Sequence, residues 1–503
     1  MKLKQTLLLV LGVAIVSVAV AVFAINLKFL ELSPHGINPI SFTLIAPGSK
    51  NQHFILSASL TFNTSRILWT ADPDVLSPHN MLSTVSDSLL ILGPNVLKSK
   101  QKYKFTLSAI TTSGVVISKT FEYSSPSSST LPPSLTLTST DTTGCDLTHP
   151  FDFNFKGVRG LVSYQLFVAS SDRFIPIDSE TDSPTVTVRL PAGRPDLDNT
   201  VVIMGRAIHS FTREVVAEAF TTVQVNQCHQ QFNQIRKSVE LYLSDSRTKT
   251  PSSNFLFATS VTINRLNPFT MSPEQVEFID QLFDLIRDHS VTEVALSAFQ
   301  QLLSSKIDFD PKLFESALSY LTLSLSQSLT SQGVQEVVIL LDLVYPHCDH
   351  QKIFSSNGVI DTLTTRIGTS GPSPVYHLGK HLVISCLSTS VSQALPRTYM
   401  LPLKDGAYFK FKTKHLLPYD GVCAVASSKH PVDNHLDSFF TDLFISENDA
   451  PIVKNRLNNA FTVVFPITTK ISPRDRILCH RWDTRNQAWS FIGVLTKNQG
   501  GST

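Results

Sequence analysis

The amino-acid sequence predicts a mainly β protein with a helical insert, and three observations support this prediction. Residues before about 225 alternate between apolar and polar side chains, as half-buried strands do. Residues from about 228 to 367 repeat their apolar side chains at helical spacing, and the chain then returns to short apolar runs typical of strands. At 503 residues and 42% apolar composition, the chain can form several packed domains.

The first 28 residues are predicted to be a signal-anchor, a transmembrane segment that tethers the chain. Lys2 and Lys4 precede an uncharged apolar run at 6–27. A helix of that length spans about 30 Å, which matches a bilayer core. The two lysines favour a cytoplasmic N-terminus and place the following chain outside the cell. Small residues at 19–21 and 22–24 also fit a cleavage site, so a cleaved signal peptide and a secreted protein stay open. No later stretch is expected to span a membrane.

Two β modules are predicted, at 29–124 and 144–226, and a linker rich in Ser, Thr and Pro separates them at 125–143. Apolar side chains alternate with polar ones in each module, namely Tyr103, Phe105, Leu107 and Ala109 in the first and Val186, Val188 and Leu190 in the second. A further strand is expected to bury Tyr164, Leu166 and Val168. Each module is about the size of an immunoglobulin-like or fibronectin type III-like β-sandwich, roughly 100 residues. We therefore expect tandem sandwiches that form a stalk.

A helical subdomain is predicted at 227–370, and a β subdomain at 371–503. Ser272 and Gln275 form a capping box, with Pro273 at the first helical position. The helix that follows is expected to bury one apolar face, which consists of Val276, Ile279, Leu282, Phe283 and Ile286. Similar start signals and apolar spacing recur further along this segment, so we expect a small bundle of helices between the β domains.

The last subdomain ends in a cluster of cysteine and tryptophan side chains. Its defining residues are Cys479, Trp482, Asp483, Trp489 and Gly493, and two of the three tryptophans of the chain are among them. An apolar run at 460–467 precedes the cluster and is predicted to be a buried strand. This pattern resembles the GPS segment that closes a GAIN domain in polycystin-type proteins and adhesion receptors. The resemblance implies a GAIN-like β-sandwich whose terminal hairpin is held by its tryptophans.

The second half of the GPS pattern is missing. Self-cleaving members of that family carry a second cysteine after the glycine and then His-Leu-Ser or His-Leu-Thr, in which the imidazole activates the hydroxyl group. Here Val494 follows Gly493, and the tripeptide does not occur before Thr503. We therefore expect a GPS-like motif that does not cleave itself.

The two β modules resemble the REJ (receptor for egg jelly) module, another component of polycystin-family proteins. The resemblance depends on short motifs that follow one another in the expected order. These motifs are Ile67-Leu68-Trp69, the strand 103–109, Pro132-Pro133, Gly144-Cys145 and the Leu-Pro-Ala-Gly sequence at 190–193. REJ-like modules, a GAIN-A-like helical subdomain and a GPS-like end together imply the ectodomain of a polycystin-like protein.

Several residues are candidates for extracellular modification. Cys145 and Cys228 bracket the second β module, and Cys386 and Cys423 lie within the last subdomain, so both pairs are candidate disulfides whose connectivity spacing does not fix. Asn63 begins an Asn-x-Ser/Thr acceptor on the side expected to be extracellular, and it is a candidate glycosylation site.

The composition and the motifs argue against an enzyme or a nucleic-acid-binding protein. Charged residues make up 16% of the chain and the net charge is +2, so no electrostatic feature favours nucleic acid. The sequence has no G-x-S-x-G elbow, phosphate loop, H-E-x-x-H or kinase signature. The run at 347–350 contains zinc-ligand types, but no second cluster completes four ligands. We predict no enzymatic activity, no cofactor and no metal.

The predicted function is that of a membrane-tethered extracellular protein for adhesion, structure or mechanosensory coupling. It is expected at the cell surface and, by the polycystin resemblance, on cilia or flagella. A protein partner is expected, either a polycystin-type channel or a protein of the extracellular matrix or ciliary surface. Two alternatives stay open: a cell-surface hydrolase or peptidase with an unrecognised site, and a truncated polycystin-like receptor or channel subunit.

Overall fold

A computed structural model describes the chain in segments. They are 39–47, 52–60, 62, 64–111, 114–125, 135–158, 160–211, 214–245, 252–266, 272–287, 293–304, 311–327, 329, 331–348, 350–354, 358–370, 375–379, 381–388, 398–402, 408–412, 421–427, 440–447, 450–451, 461–464, 481–483 and 488–490. The predicted membrane segment at 1–28, the acceptor Asn63, Cys479 and Gly493 lie outside these residues. The chain divides into two compact units, 1–463 and 464–503.

The first β module contains two antiparallel three-stranded sheets. Its strands are β1 (Ile40–Pro47), β2 (Phe54–Leu60), β3 (Thr64–Asp72), β4 (Leu89–Leu92), β5 (Lys102–Thr111) and β6 (Val116–Ser124), in the orders β1-β2-β4 and β3-β5-β6. Side chains from both sheets form one core around Trp69, whose indole N–H donates to the Asp87 carbonyl at 2.8 Å. The predicted alternation along β5 is confirmed, because Tyr103, Phe105, Leu107 and Ala109 are at most 1% exposed.

The second β module contains a five-stranded and a three-stranded sheet. Its strands are β7 (Thr136–Ser139), β8 (Thr143–Cys145), β9 (Pro150–Lys156), β10 (Val162–Ala169), β11 (Phe174–Pro176), β12 (Thr185–Arg189), β13 (Thr200–His209) and β14 (Val215–Asn226). The sheet orders are β11-β10-β13-β14-β8 and β12-β9-β7. Val186, Val188 and Leu190 are buried as predicted. Tyr164, Leu166 and Val168 of β10 are buried as expected, and the strand is covered on both faces, because seven of its eight residues are buried.

Eight described helices follow. They are α1 (Phe232–Asp245), α2 (Ser253–Leu266), α3 (Pro273–Arg287), α4 (Glu293–Leu303), α5 (Pro311–Leu325), α6 (Ser331–Val344), α7 (His350–Phe354) and α8 (Val359–Ser370). The capping box of α3 is confirmed: the Ser272 N–H donates to the Gln275 side chain at 2.9 Å, and the Gln275 N–H donates to the Ser272 hydroxyl at 3.3 Å. The inclusion of Val276 in the buried face is wrong. Val276 is 37% exposed, because Phe278 lies about 200° further round the helix and takes the core position.

The β elements resume after α8. They are β15 (Val375–Leu378), β16 (Leu382–Ser388), β17 (Thr398–Pro402), β18 (Tyr408–Lys412), β19 (Gly421–Ser427), β20 (Phe440–Glu447), β21 (Ala450–Pro451) and β22 (Phe461–Val464), in sheets β15-β16-β19-β20-β21 and β17-β18-β22. In the second unit, β23 (Arg481–Asp483) pairs antiparallel with β24 (Ala488–Ser490), and Trp482 lies opposite Trp489 in the register. The described elements are therefore mainly β with a helical insert.

None of the helices in the described segments combines the length and apolar character needed to cross a bilayer.

Candidate functional sites at the module contacts

The first and second β modules pack against each other through an apolar cluster. The cluster contains Ile55, Leu89 and Ile91 from the first module, and Phe167, Val202 and Met204 from the second. All six side chains are at most 3% exposed. Burying one such side chain contributes about 1.5–3 kcal/mol. This contact covers Phe167 of β10, whereas Gln165 on the same face of the strand donates to Glu293 of α4 at 3.3 Å, so two different neighbours bury this face.

An ion pair reinforces the same contact. The Arg194 guanidinium donates from one nitrogen to both oxygens of Asp87, at 3.0 and 2.8 Å. Asp87 is 8% exposed at its side chain and also accepts from the Thr84 N–H at 2.7 Å. Burial opposes the charge of Arg194, but its hydrogen bonds to Asp196 and Asp87 outweigh burial and raise its pKa. We call Arg194 and Asp87 the inter-module clamp.

A second buried ion pair connects the second module to the helices. Arg173 follows β10 and donates to both oxygens of Glu336 in α6 at 3.3 and 3.2 Å. It also donates to Gln300 of α4 at 2.8 Å. Burial lowers the pKa of Arg173, but the charges of Glu336 and Asp172 outweigh it, so the net shift is upward. Because Glu336 is fully buried, this pair fixes the turn between β10 and β11 to two helices.

The hydrophobic core continues from the second module through the helices into the last large sheet. One cluster of buried side chains includes Leu166 of β10, Phe299 of α4, Leu341 of α6 and Ile384 of β16. The carboxylate of Asp342 in α6 accepts from the backbone N–H groups of His381 and Leu382, at 2.8 and 2.6 Å. Burial raises the pKa of Asp342, but the nearby His377 and these backbone bonds outweigh it and lower the pKa.

A buried serine, histidine and aspartate lie where the second module meets α1. The Asp146 carboxylate is 2.9 Å from Nδ1 of His229, and Nε2 of His229 is 2.8 Å from the Ser238 hydroxyl. Asp146 follows β8, His229 precedes α1 and Ser238 lies within α1. Asp146 and His229 are buried, whereas Ser238 is half-buried. We call these residues the Ser238 network.

Two cavities border the contact between the β modules. One of about 410 Å³ is lined by His53 and His79 together with residues of β14. Burial lowers the pKa of His53 from 6.5 to about 4, so its imidazole is neutral at neutral pH. The other, of about 320 Å³, is lined by Arg194 and Arg265.

The structure contains the two cysteine pairs that the sequence analysis named. Cys145 and Cys228 are bonded with their Cα atoms 5.5 Å apart, and Cys386 and Cys423 are bonded across β16 and β19. Cys348 is half-buried, and its thiol donates to the Phe314 carbonyl. The described segments hold no group of three or more His, Cys, Asp or Glu side chains that could bind a metal ion.

The residues of the GPS-like motif are described only in part. Trp482, Asp483 and Trp489 lie on the paired strands β23 and β24, and only their backbone register is described. Cys479 and Gly493 lie outside the described residues, so the grouping of the five residues stays a prediction.

Sequence reasoning missed the inter-module clamp and the Ser238 network. One signal was available for the Arg173–Glu336 pair: Glu336 lies in a helix that is mostly apolar after Gly333, and a charge in such a place requires a buried partner. No comparable local pattern marks Asp87 and Arg194, which are 107 residues apart.

Comparisons with known proteins give weak similarities. No protein-family model matches the chain, and no curated protein matches it significantly. Among solved structures, a chimeric titin Z1Z2 carrying a decorin peptide is 14% identical over 38% of this chain and 100% of that one, with a TM-score of 0.14. An adhesin that helps an Antarctic bacterium bind ice is 6% identical over 38% of this chain and 49% of that one, with a TM-score of 0.13. The human desmocollin-1 ectodomain is 10% identical over 38% of this chain and 43% of that one, with a TM-score of 0.12. Similarities this low identify neither a family nor a function.

Proposed function

We propose that this chain is a membrane-tethered extracellular protein that serves adhesion or mechanical coupling by transmitting binding or tension between its modules. One observation carries the proposal: consecutive modules are joined by buried contacts instead of independent linkers. The apolar cluster and the clamp join the two β modules, and a shared core joins the second module to the helices and the last large sheet. A load applied to one module is then borne by its neighbours.

The resemblance to polycystin-like ectodomains supports the same function. In this proposal the two β modules are immunoglobulin-like or fibronectin type III-like sandwiches of the REJ type, and the helices with the following sheets form a GAIN-like domain. The two disulfides are compatible with an oxidising, extracellular environment. The partner is a protein, either a polycystin-type channel or a surface protein of the matrix or cilium.

The terminal hairpin completes the proposal. Trp482 and Trp489 occupy opposite positions on β23 and β24, where a pair of aromatic side chains contributes to hairpin stability. We assign this hairpin the role of a lock that keeps the end of a GPS-like segment in place without self-cleavage. Trp482→Ala is expected to reduce secretion or surface display.

Surface labelling tests the proposal directly. Cells that express the chain with a C-terminal epitope tag should bind the tag antibody without permeabilisation, and they should adhere to cells or matrix more strongly than untransfected cells. Arg194→Met, which breaks the inter-module clamp, should preserve surface labelling but weaken adhesion under flow. A tag that is accessible only after permeabilisation would contradict the extracellular placement. Adhesion under flow that is unchanged in Arg194→Met would contradict the coupling role.

A further inference from the structure

We propose that Ser238 is an activated nucleophile that accepts acyl groups from small esters with good leaving groups. The Ser238 hydroxyl is 2.8 Å from Nε2 of His229, and Nδ1 of the same ring is 2.9 Å from Asp146. A nucleophile, a base and a group that orients the base are the three parts of a serine triad, which is recognised by geometry and not by chain order.

The positions of the base and its orienting group are fixed by covalent and hydrogen bonds. The same Asp146 oxygen accepts from the backbone N–H groups of Cys228 and His229, at 2.8 and 3.2 Å. The disulfide between Cys145 and Cys228 joins the residues immediately before Asp146 and His229. Because the carboxylate accepts the Nδ1 proton, the lone pair of Nε2 points to Ser238 and can take its proton.

Ser238 differs from other helical hydroxyl residues in this chain. In α2, Thr259, Ser260 and Thr262 donate to the carbonyl four residues earlier, at 2.8 to 2.9 Å. This bond is the usual partner of a serine or threonine inside a helix. Ser238 instead bonds to a histidine ring, and the residue is half-buried whereas Asp146 and His229 are buried. In the proposal, this partial exposure of Ser238 is the route by which small reagents reach its hydroxyl.

The chemistry needs only the ester and water. The Ser238 oxygen attacks the carbonyl carbon while His229 Nε2 takes the hydroxyl proton, and the bond to the leaving oxygen then breaks. The imidazolium, stabilised by Asp146, returns its proton to the leaving group. Water, deprotonated by the same imidazole, afterwards releases the acid and restores the serine. Backbone N–H groups around Ser238 donate within α1, so the site lacks paired oxyanion donors, and this restricts the substrates to activated esters.

Sequence motifs could not reveal this site, because the aspartate lies 83 residues before the histidine. The proposal is independent of the adhesion role, and His229 acts on the reacting atoms while Asp146 is a positioning residue. An esterase activity at Ser238 would belong to the hydrolase class that the sequence left open as an alternative function.

A labelling experiment on the purified full chain tests the proposal. The probes are a fluorescent fluorophosphonate and p-nitrophenyl acetate. The wild type should be labelled once, on the tryptic peptide that contains Ser238. Ser238→Ala should abolish labelling in a protein that stays folded, because alanine suits a helical position, and the lost hydrogen bond to the buried His229 should lower the melting temperature only modestly. Ser244→Ala is the matched control in the same helix and should label normally, since its hydroxyl donates to the Leu241 carbonyl.

The histidine supplies a second arm that separates activation from structure. His229→Gln keeps polar atoms in the buried site and should slow labelling about 100-fold or more if His229 is the general base. Equal labelling of wild type and Ser238→Ala, or no labelling of the folded wild type, would overturn the proposal. So would a labelling rate that is unchanged in His229→Gln. None of these outcomes bears on adhesion, so the two proposals fail separately.

Discussion

Arg194→Met removes the cation of the inter-module clamp while keeping a side chain of similar length. Breaking a fully buried ion pair costs about 3–5 kcal/mol, whereas a surface pair contributes about 0–1 kcal/mol. Asp87 is 8% exposed, but Arg194 is 37% exposed, so solvent screens part of the interaction. Asp87 also keeps its bond from the Thr84 N–H. We therefore expect the contact between the modules to lose about 1–3 kcal/mol, between these two limits.

Native-state hydrogen exchange measures this loss at the contact itself. The Leu89 N–H donates to the Ser171 carbonyl of the other module at 3.1 Å. A loss of 1–3 kcal/mol should speed exchange of the Leu89 peptide about 5- to 150-fold, at about 1.4 kcal/mol per tenfold change. Arg236→Met is the control, because its pair with Glu240 is exposed and lies within α1. Unchanged Leu89 exchange in a folded Arg194→Met protein would refute the clamp.

Three further predictions concern single residues. Burial lowers the pKa of His53 from 6.5 in the unfolded chain to about 4 in the folded protein. The unfolded state therefore takes up a proton first, and the free energy of unfolding should fall by about 3 kcal/mol as the pH falls from 6.5 to 4. His53→Gln should flatten the acid limb of a denaturation curve measured against pH, while the exposed His79→Gln should not, and an equal slope in both would contradict the assignment. Gly193→Ala would place a Cβ against the backbone of Asn199 and should lower the free energy of unfolding in urea by about 1–3 kcal/mol. A Cβ at Gly93 meets only ordinary contacts, so Gly93→Ala should cost less, and equal urea midpoints for the two variants would show that the close approach at Gly193 is absent. Finally, the 503-residue chain, expressed in a secretory host, should run as one band on a denaturing gel, because its residues after Gly493 do not include the His-Leu-Ser/Thr tripeptide of the self-cleaving proteins that the GPS-like motif resembles; two stoichiometric fragments with a break near this motif would contradict this.

Local patterns predicted what local interactions decide. The alternation along β5 placed Tyr103 and Phe105 in a core, and the capping box placed the start of α3 at Pro273, because each signal depends on neighbours within a few residues. The second buried face of β10 was not predictable in this way. Its Phe167 packs against side chains of the first module, such as Ile55, and no period of a single strand reports a partner so far away in the sequence.

The sites followed the same rule. The module boundaries made Cys145 and Cys228 a candidate pair, because the two cysteines bracket one module, whereas spacing left the connectivity open and the structure supplied it. The Ser238 network could not be anticipated, because its residues become neighbours only when the second module and α1 are packed together. Residue composition does not show which distant side chains meet in the fold, and motif searches detect only residues that are close along the chain.

The central claim, that buried contacts make the modules one mechanical unit, is tested most directly by hydrogen exchange of the full chain in increasing urea. The peptides to follow cover β10 in the second module and α4 in the helical segment, which share one core and are joined by the hydrogen bond from Gln165 to Glu293. We expect both peptides to lose protection at the same urea concentration, as one cooperative unit. Loss of protection in α4 at clearly lower urea, while β10 stays protected, would show that the modules unfold independently and would contradict the account.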